Sequence, residues 1–270
     1  MIATSLEEAE VRSLVLLGCG KMGSALLEGW LASGLPPEAV HVLEPHPSEW
    51  LATTGVHLNG GVPDTASVAV LAVKPQTIRD AAPDLISLAK RGTVFISVAA
   101  GTPIAEFETI YGADTPIIRV MPNTPASIGR GISALVGSAA VNEDHLVMAE
   151  RLMQAVGETV RLEQEAQMDA VTGLSGSGPA YVFHLIEALA AAGEAEGLPP
   201  DLSMALARAT VAGAGELAGA SSESAATLRQ NVTSPGGTTA AGLSVLMQDL
   251  PDLIRRTVAA AAERSRELAG

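Results

Sequence analysis

The sequence is poor in aromatic residues, in cysteine and in basic residues. Its 270 residues include 3 Phe, 2 Trp, 2 Tyr and 1 Cys, and 30 acidic against 16 basic residues give a formal charge of -14. A single cysteine excludes a disulfide framework and a cysteine-based zinc site, and it is typical of a reducing cytosol. The composition predicts a poor nucleic-acid binder, because the chain lacks a basic surface and stacking platforms. If the ligand is an anion, something other than overall charge has to bind it.

The sequence also lacks a long uncharged apolar run. The two most apolar stretches, 179–193 and 205–220, both contain charged residues, and neither reaches the roughly 20 residues of a spanning helix. Residues 1–12 are polar and acidic, unlike a signal peptide. We therefore expect a soluble, cytoplasmic protein with no membrane partner. The five histidines show no metal-ligand spacing, so we expect no metal site, whereas the 47% hydrophobic content provides for a sizeable core.

The first part of the chain alternates short β-branched runs with helical stretches. Because the runs are apolar on both faces, they predict parallel strands covered by helices on both sides. This order predicts an α/β fold with a doubly wound sheet, over residues 1–164. The predicted strands are 13–17, 40–43, 68–73, 93–98 and 116–120, with 157–162 as a candidate final strand.

Beyond residue 164 the strand pattern disappears, and Ala, Gly and Leu dominate at helical spacing. Leu185 and Leu189 share one helical face, and Leu243, Leu246 and Leu250 share another. A helix that is apolar nearly all round must be buried nearly all round. We therefore expect residues 165–270 to form an all-α domain that packs against a second copy. The alternative is that the alanine content reflects helix propensity alone.

A glycine-rich loop follows the first predicted strand and opens a helix. It has the form G-x-G-x-x-G, in which the first glycine permits the tight turn, the second allows a pyrophosphate to approach the backbone, and the third allows helix and strand to pack closely. The helix N-terminus adds unpaired N–H groups and a partial positive charge. This loop predicts dinucleotide binding by Gly18, Gly20, Lys21, Met22 and Gly23.

Glu44 lies at the end of the second predicted strand, 21 residues after Gly23. At this position an acidic side chain commonly accepts hydrogen bonds from the adenosine ribose, and its charge should repel a 2′-phosphate, which favours NADH over NADPH. The alternative is that Glu44 is an ordinary exposed acid. A positive charge on His46 or His57 would offset the repulsion between Glu44 and a 2′-phosphate. Cys19 is more simply interpreted as a small buried loop residue than as a redox group.

Three further loops follow predicted strands, and ligands of open α/β sheets gather at the carboxyl ends of strands. Lys74 is placed to contact ribose or phosphate, unless it is merely solvated. The small residues 97–101 would let a flat ring lie close to the backbone. The stiff turn 121–125 offers the polar side chains of Asn123 and Thr124.

Two glycine-rich helix starts lie in the helical half. In the first, 173–180, Ser177 is a candidate N-cap and Pro179 suits the first turn, so capping and a ligand site are equally good interpretations. The second, 234–239, has two glycines and two threonines, which exceeds what a cap needs. Its converging N–H and hydroxyl groups can cradle a carboxylate without a cation.

Taken together, these segments resemble the pyrroline-5-carboxylate reductase family, from Leu14 to about Leu250. The most specific matches are Met-Pro-Asn-Thr-Pro, Ser-Gly-x-Gly-Pro-Ala-Tyr and Ser-Pro-Gly-Gly-x-Thr. The resemblance implies an N-terminal Rossmann domain and a helical substrate domain that interlocks with that of a second copy, with larger assemblies such as decamers. It implies hydride transfer from NADPH or NADH to the imine carbon of 1-pyrroline-5-carboxylate, giving L-proline.

The resemblance also assigns roles to residues. Thr239 would contact the substrate ring nitrogen, and the backbone of Gly236–Thr238 would hold the substrate carboxylate at the dimer interface. The implied substrate site is Ser234, Gly236, Gly237, Thr238 and Thr239. The implied cofactor site adds Glu44, His57, Ala72, Val73, Lys74, Pro75, Ala99, Ala100, Met121, Asn123 and Thr124 to the glycine loop. Glu44 and His57 depart from the family pattern, which often has a hydroxyl residue and an asparagine there.

Two other functions remain open from the sequence. A reductase of another cyclic imine or of a 2-hydroxyacid would share the glycine loop but should carry a catalytic lysine in the helical half, and residues 164–270 contain none. A non-catalytic dinucleotide-sensing regulator would need a partner surface or a basic helix. Reducing a protonated imine requires mainly positioning, which agrees with the lack of a Ser-His-Asp or paired-carboxylate arrangement.

Overall fold

The computed structural model describes residues 11–269, and within them the N-terminal part forms one eight-stranded sheet. The strand order is β3-β2-β1-β4-β5-β6-β7-β8, and neighbours are parallel except β6 with β7. The order changes direction between β1 and β4, the switch point at which ligands of such sheets bind. The strands are β1 Leu14–Leu17, β2 Val40–Leu43, β3 His57–Leu58, β4 Val68–Leu71, β5 Val94–Ser97, β6 Ile117–Met121, β7 Gly131–Gly137 and β8 Gly157–Arg161.

The predicted doubly wound sheet is confirmed, and each predicted strand is present. Two strands were not predicted. β3 has only two residues, too few to show a period. β7 begins and ends with glycine, a residue that weakens a strand pattern. It also runs antiparallel to β6, so it follows a short turn instead of a crossover helix.

Alternate strand residues divide the core into two layers, one on each face of the sheet. Leu14 and Leu16 pack in one cluster of buried residues, whereas Val15 and Leu17 pack in the other. Trp30 on the first helix is fully buried in the first layer, where its Nε1 donates to Leu152 O at 2.9 Å. Apolar residues on both sides of each strand therefore require helices on both faces.

The helices that belong with the sheet are mostly short. They are α1 Lys21–Ala32, α2 Glu49–Thr53, α3 Ile78–Ala81, α4 Ile86–Ala89, α5 Ile104–Tyr111, α6 Glu143–Gln154 and α7 Met168–Val171. A single π-helical turn, Thr172–Gly176, follows. The longer helices are α8 Gly178–Ala195, α9 Pro200–Ala220, α10 Ala225–Asn231 and α11 Thr238–Ala269. No strand follows β8 among the described residues, as the all-α prediction requires.

The described residues divide into two compact units. One contains the chain up to Gly176 together with its end from Ala261, and the other spans Ser177–Ala260. The end of α11 is held within the first unit, because Ser265 Oγ donates to Asp169 Oδ1 at 2.6 Å. The sequence predicted a domain boundary after residue 164, whereas the second compact unit begins at Ser177. The predicted domain boundary stays a prediction.

The unit Ser177–Ala260 leaves many large apolar side chains uncovered in the single chain. Exposed fractions reach 60% for Phe183 and 65% for Val245. The exposed group includes Val182, Phe183, Leu185, Leu189, Leu202, Leu206, Leu217, Val245, Leu246, Met247, Leu250, Leu253 and Ile254. Apolar surface on this scale marks an interaction site. None of the described helices is both long and apolar enough to cross a bilayer.

Candidate active site

The glycine loop between β1 and α1 has the geometry that a closely bound phosphate requires. Gly18 has φ +88°, and a Cβ there would lie 2.6 Å from Val73 Cγ1. A Cβ on Gly23 would overlap the carbonyl oxygen of Gly18. Gly20 is exposed, and a Cβ there would meet nothing within 4 Å. The fold therefore requires the first and third glycines, whereas the second leaves open space at the loop.

Helix α1 begins at Lys21, directly after the open glycine. Its N-cap is Gly20, and no side chain of the described residues caps this end. Lys21 is exposed, and Met22 packs against the core. The first N–H groups of the helix and its dipole attract anions. An anion can therefore be bound here although the chain carries a formal charge of -14.

Glu44 contacts the glycine loop directly. Its Oε2 accepts a hydrogen bond from the Cys19 N–H at 2.7 Å, and its Oε1 accepts one from the His46 N–H at 2.9 Å. Asn59 holds the backbone of Glu44, because the Glu44 N–H donates to Asn59 Oδ1 and Asn59 Nδ2 donates to Glu44 O, both at 2.9 Å. The carboxylate is thus fixed beside the loop.

Asn59 was not singled out in the sequence, although a local pattern marks it. It follows β3, precedes two glycines, and has φ 53°, the only positive φ of a non-glycine among residues 11–269. Asparagine tolerates this left-handed conformation better than most residues. The Asn-Gly-Gly sequence after a short strand was therefore an available signal.

His57 lies on β3 beside His41 on β2. The two rings stack with centroids 4.6 Å apart and an angle of 21° between their planes. Burial lowers the pKa of His41, and the charge of His57 lowers it further. His57 is exposed, so one face of its ring is covered by His41 while its edge remains open to a ligand.

Cys19 is buried beneath the loop, as predicted. Its Sγ lies 3.5 Å from Ser24 Oγ. Burial raises the pKa of the thiol; the Ser24 hydrogen bond acts in the opposite direction, and the charges of Glu44 and Glu28 raise it again. A thiol that stays protonated is a weak nucleophile, so Cys19 fills space in the loop.

The strand ends next to the loop carry the other predicted cofactor residues. Ala72 and Val73 pack against the glycine loop, and the Ala72 N–H donates to Leu17 O at 2.8 Å. Lys74 is exposed, and Pro75 opens a 3-10 turn behind it. After β5, Ala99 is buried whereas Ala100 is exposed. Some of the small residues at these strand ends are therefore packing residues. Among the predicted cofactor residues that follow β4, Lys74 carries the positive charge.

The turn after β6 is tied to the π-helical segment. Asn123 Nδ2 donates to Ser175 O at 3.3 Å, and Asn123 Oδ1 accepts from the Ile132 N–H at 3.0 Å. A Cβ on Gly176 would lie 2.5 Å from Met121 Cε. Thr124 is exposed at the start of a 3-10 helix. The Met-Pro-Asn-Thr-Pro and Ser-Gly-x-Gly segments are thus neighbours, and the Asn123 amide is engaged on both sides.

A buried ion pair lies behind this turn. Arg119 on β6 has only 6% of its side chain exposed, and its Nη1 lies 2.8 Å from Glu165 Oε1. The same carboxylate oxygen accepts from the Ile104 N–H at 2.8 Å. Glu165 was not singled out in the sequence, because it lies 46 positions after Arg119 and no local signal connects the two. The pair joins β6 and the start of α5 to the segment before α7.

The segment Ser234–Thr239 forms a tight turn that opens α11. Gly236 has φ +71°, and the Gly237 N–H donates to Ser234 O at 3.0 Å. Thr238 is the first helical residue, and it and Thr239 are both exposed. The turn uses the Gly237 N–H in this hydrogen bond, and the helix N-terminus that follows at Thr238 can attract an anion. These residues belong to the unit Ser177–Ala260, whereas the predicted cofactor residues all belong to the other unit.

The first helix start of that unit differs from its prediction in one respect. Ser177 is the N-cap of α8, but its side chain makes no capping hydrogen bond; Pro179 does lie in the first turn. Within residues 11–269, no group of three or more His, Cys, Asp and Glu side chains is arranged to hold a metal ion.

Two family models match the chain. Residues 165–268 match the pyrroline-5-carboxylate reductase dimerisation model, and residues 13–101 match the coenzyme F420-dependent NADP oxidoreductase model. The first match covers α7 to the end of α11, and the second covers the strands β1 to β5. The candidate substrate turn and the glycine loop therefore fall in different matched regions.

Relatives resemble the chain over nearly its whole length. Pyrroline-5-carboxylate reductase of Glycine max is 41% identical over 269 residues, which are 96% of this chain and 97% of that protein. The structure of a pyrroline-5-carboxylate reductase from Coxiella burnetii has a TM-score of 0.92 at 33% identity, covering 97% of this chain and 100% of that one. The Plasmodium falciparum enzyme, solved with NADP bound, has a TM-score of 0.82 at 28% identity, covering 97% and 99%. The chain belongs to the pyrroline-5-carboxylate reductase family.

Proposed function

We propose that the chain reduces 1-pyrroline-5-carboxylate to L-proline with a reduced nicotinamide dinucleotide. The observation that carries this is the combination, in a member of this family, of an open Gly20 before an uncapped helix with the Ser234–Thr239 turn. The first suits a pyrophosphate, and the second suits a small carboxylate. Both ligands are anions, and in both places backbone N–H groups and a helix dipole supply the attraction.

The described residues fit the dinucleotide. In the proposal, the α1 N-terminus holds the pyrophosphate at Gly20, Lys21 and Met22, and Glu44, His57 and Lys74 lie toward the adenosine. Ala99, Ala100 and the turn from Met121 to Thr124 would line the nicotinamide, and Asn123 would serve by fixing this turn to Ser175. When bound, the cofactor supplies the hydride that the imine carbon accepts.

The proposed substrate residues bind and orient the substrate. The N–H groups of Gly236 and Thr238 bind the substrate carboxylate, and the Thr239 hydroxyl accepts the N–H of the protonated ring nitrogen. The imine nitrogen already carries its proton, so the incoming hydride completes the conversion of the C=N bond to a C–N bond without a further acid. Catalysis is therefore mainly orientation and exclusion of water.

The test is turnover of the purified chain with 1-pyrroline-5-carboxylate, followed by the loss of reduced-nicotinamide absorbance and by detection of proline. Proline formation supports the proposal. Dinucleotide binding without turnover of this imine would favour a dinucleotide sensor or a reductase with another substrate. Other cyclic imines and the oxo acids that correspond to 2-hydroxyacids are therefore tested as substrates in the same assay.

The chain is also proposed to act as a homodimer through its helices. Residues 165–268 match a dimerisation model, and α8, α9 and α11 carry exposed apolar side chains such as Phe183, Leu217 and Val245. Burial of such surface against a second copy is the usual source of stability in obligate dimers. An interlocked dimer and further assembly to a decamer are part of this proposal, as is a cytoplasmic location, which the single cysteine favours.

A further inference from the structure

We propose that Glu44 makes this chain select NADH against NADPH by rejecting a 2′-phosphate. The inference rests on the proposed function for the presence of a dinucleotide, and it adds which dinucleotide is used. Glu44 follows β2, the position at which an acidic side chain meets the ribose 2′-hydroxyl of a dinucleotide bound at a G-x-G-x-x-G loop.

The position of the carboxylate is fixed. One oxygen accepts from the Cys19 N–H at 2.7 Å and the other from the His46 N–H at 2.9 Å. Asn59 pairs with both backbone polar groups of Glu44. A flexible acid could turn toward solvent when a phosphate arrives, but this one would lose two hydrogen bonds by doing so. Each carboxylate oxygen has a second lone pair, so ribose hydroxyls can still donate to it.

The surrounding charge offers a phosphate little compensation. Residues 40–73, which include β2, β3 and β4, contain no lysine or arginine. On these elements the groups that can become positive are the histidines, and burial together with the charge of His57 lowers the pKa of His41. The fixed cation placed toward the adenosine is Lys74, which is exposed just after β4, and a lysine is a point charge that cannot bind a phosphate bidentately as an arginine does. Burial raises the pKa of Cys19 in the glycine loop, and the charges of Glu44 and Glu28 raise it further.

The two cofactors differ only in the group that would meet this carboxylate. NADH presents a hydroxyl, which is a donor and suits a carboxylate acceptor. NADPH presents a phosphate, which is an acceptor with a charge of about -2 and suits an arginine. A fixed carboxylate without a neighbouring guanidinium therefore favours the first and repels the second.

The test measures binding, which does not require turnover. The Kd values of NAD⁺ and NADP⁺ for the full chain are measured by calorimetry at pH 8, where histidine is mostly neutral. NAD⁺ is expected to bind at least about tenfold more tightly than NADP⁺, a difference of about 1.4 kcal/mol. In a competition arm, 5′-AMP should displace bound NAD⁺ better than its 2′-phosphorylated analogue, 2′,5′-ADP. This arm uses the unmodified chain, so it does not depend on how a variant folds.

The variant Glu44→Ser should tighten NADP⁺ binding and weaken NAD⁺ binding, which reverses or abolishes the ratio. Glu49→Gln is the matched control, because it removes one negative charge from the exposed first turn of α2 in the same loop and should leave the ratio unchanged. Equal or tighter binding of NADP⁺ by the unmodified chain would overturn the inference, as would equal weakening of both ligands by Glu44→Ser. Selectivity for NADP⁺ with normal proline formation would leave the proposed function intact, whereas absence of binding by either dinucleotide would overturn both.

Discussion

A methyl group on Gly23 would overlap the carbonyl oxygen of Gly18, whereas a methyl group on Gly20 would meet no atom within 4 Å. The contact between Gly23 and Gly18 is structural, since it determines how closely α1 packs on the end of β1. Gly20 leaves open space beside the loop, in which a ligand phosphate can lie. Substitution of the two glycines should therefore separate stability from binding.

Gly20→Ala should leave the melting temperature of the chain nearly unchanged, because Gly20 has φ -71° and ψ -159°, which alanine also adopts. It should weaken dinucleotide binding by roughly tenfold, about 1.4 kcal/mol, because the methyl group would occupy the space of the pyrophosphate. Calorimetric titration with dinucleotide measures the loss. Unchanged affinity would remove Gly20 from the cofactor site.

Gly23→Ala should behave in the opposite way. The added methyl group forces the loop and α1 apart, which should lower the free energy of unfolding by about 1–3 kcal/mol. Urea denaturation followed by circular dichroism measures this loss. If Gly23→Ala proved as stable as the unmodified chain, the close contact between α1 and Gly18 would not exist in solution.

Thr239→Ala should lower kcat/KM for 1-pyrroline-5-carboxylate by roughly 10²-fold, the scale of losing one positioned hydrogen-bonding group. Thr239 is exposed in the single chain, so stability should be little affected. Thr239→Ser keeps the hydroxyl and should keep most of the activity. Full activity in Thr239→Ala, measured by steady-state kinetics, would exclude the hydroxyl from the mechanism.

The sequence predicted the elements well wherever the signal was local. β2 matches its predicted bounds, Val40–Leu43, because its apolar run is bounded by turn residues. The glycine loop is equally local, since its three glycines follow a strand and open a helix. The Ser234–Thr239 turn is found where its glycines and threonines predicted it, directly before a helix, and Gly236 has a positive φ there.

Contacts between distant parts of the chain could not be predicted from the sequence. Nothing near Glu44 shows that its carboxylate binds the Cys19 N–H, 25 residues away. Nothing near Arg119 indicates Glu165, because the pair forms only once the sheet is assembled. Asn123 stays a predicted cofactor residue, and nothing near it in the sequence indicates that its amide links Ser175 and Ile132. The sequence shows which residues are polar, whereas tertiary structure decides which partners they meet.

Arg119→Met should lower the free energy of unfolding by about 2–4 kcal/mol. This loss is smaller than the largest losses on breaking buried ion pairs, because the Glu165 side chain is 31% exposed and water can partly solvate its charge. Glu165→Gln is the counterpart: its amide oxygen can still accept from the Ile104 N–H, but it leaves the buried Arg119 cation without a counter-charge, so it should cost at least as much. Chemical denaturation of both variants gives the comparison. A clearly larger loss in Arg119→Met than in Glu165→Gln would contradict the burial of the arginine.

Leu246→Glu should shift the chain from dimer toward monomer, because Leu246 is a 48% exposed apolar residue on α11 in the region that matches the dimerisation model. Ile86→Glu is the matched control: Ile86 is 44% exposed but belongs to α4 in the sheet unit, and this variant should still form dimers. Light scattering after size-exclusion chromatography measures the mass of each. Retention of the dimer by Leu246→Glu would mean that this part of α11 faces solvent in the assembly.

His57→Asn should raise the pKa of His41, because it removes both the stacked ring and its charge. In the folded chain the pKa of His41 lies below its ordinary value of 6.5, so the unfolded state binds the proton more readily. The stability that neutral His41 contributes is therefore fully present above pH 6.5 and is lost as the pH falls below that value. Histidine titration by NMR should show the His41 pKa moving toward 6.5 in His57→Asn. A His41 pKa that does not move would show that burial alone, without His57, sets it.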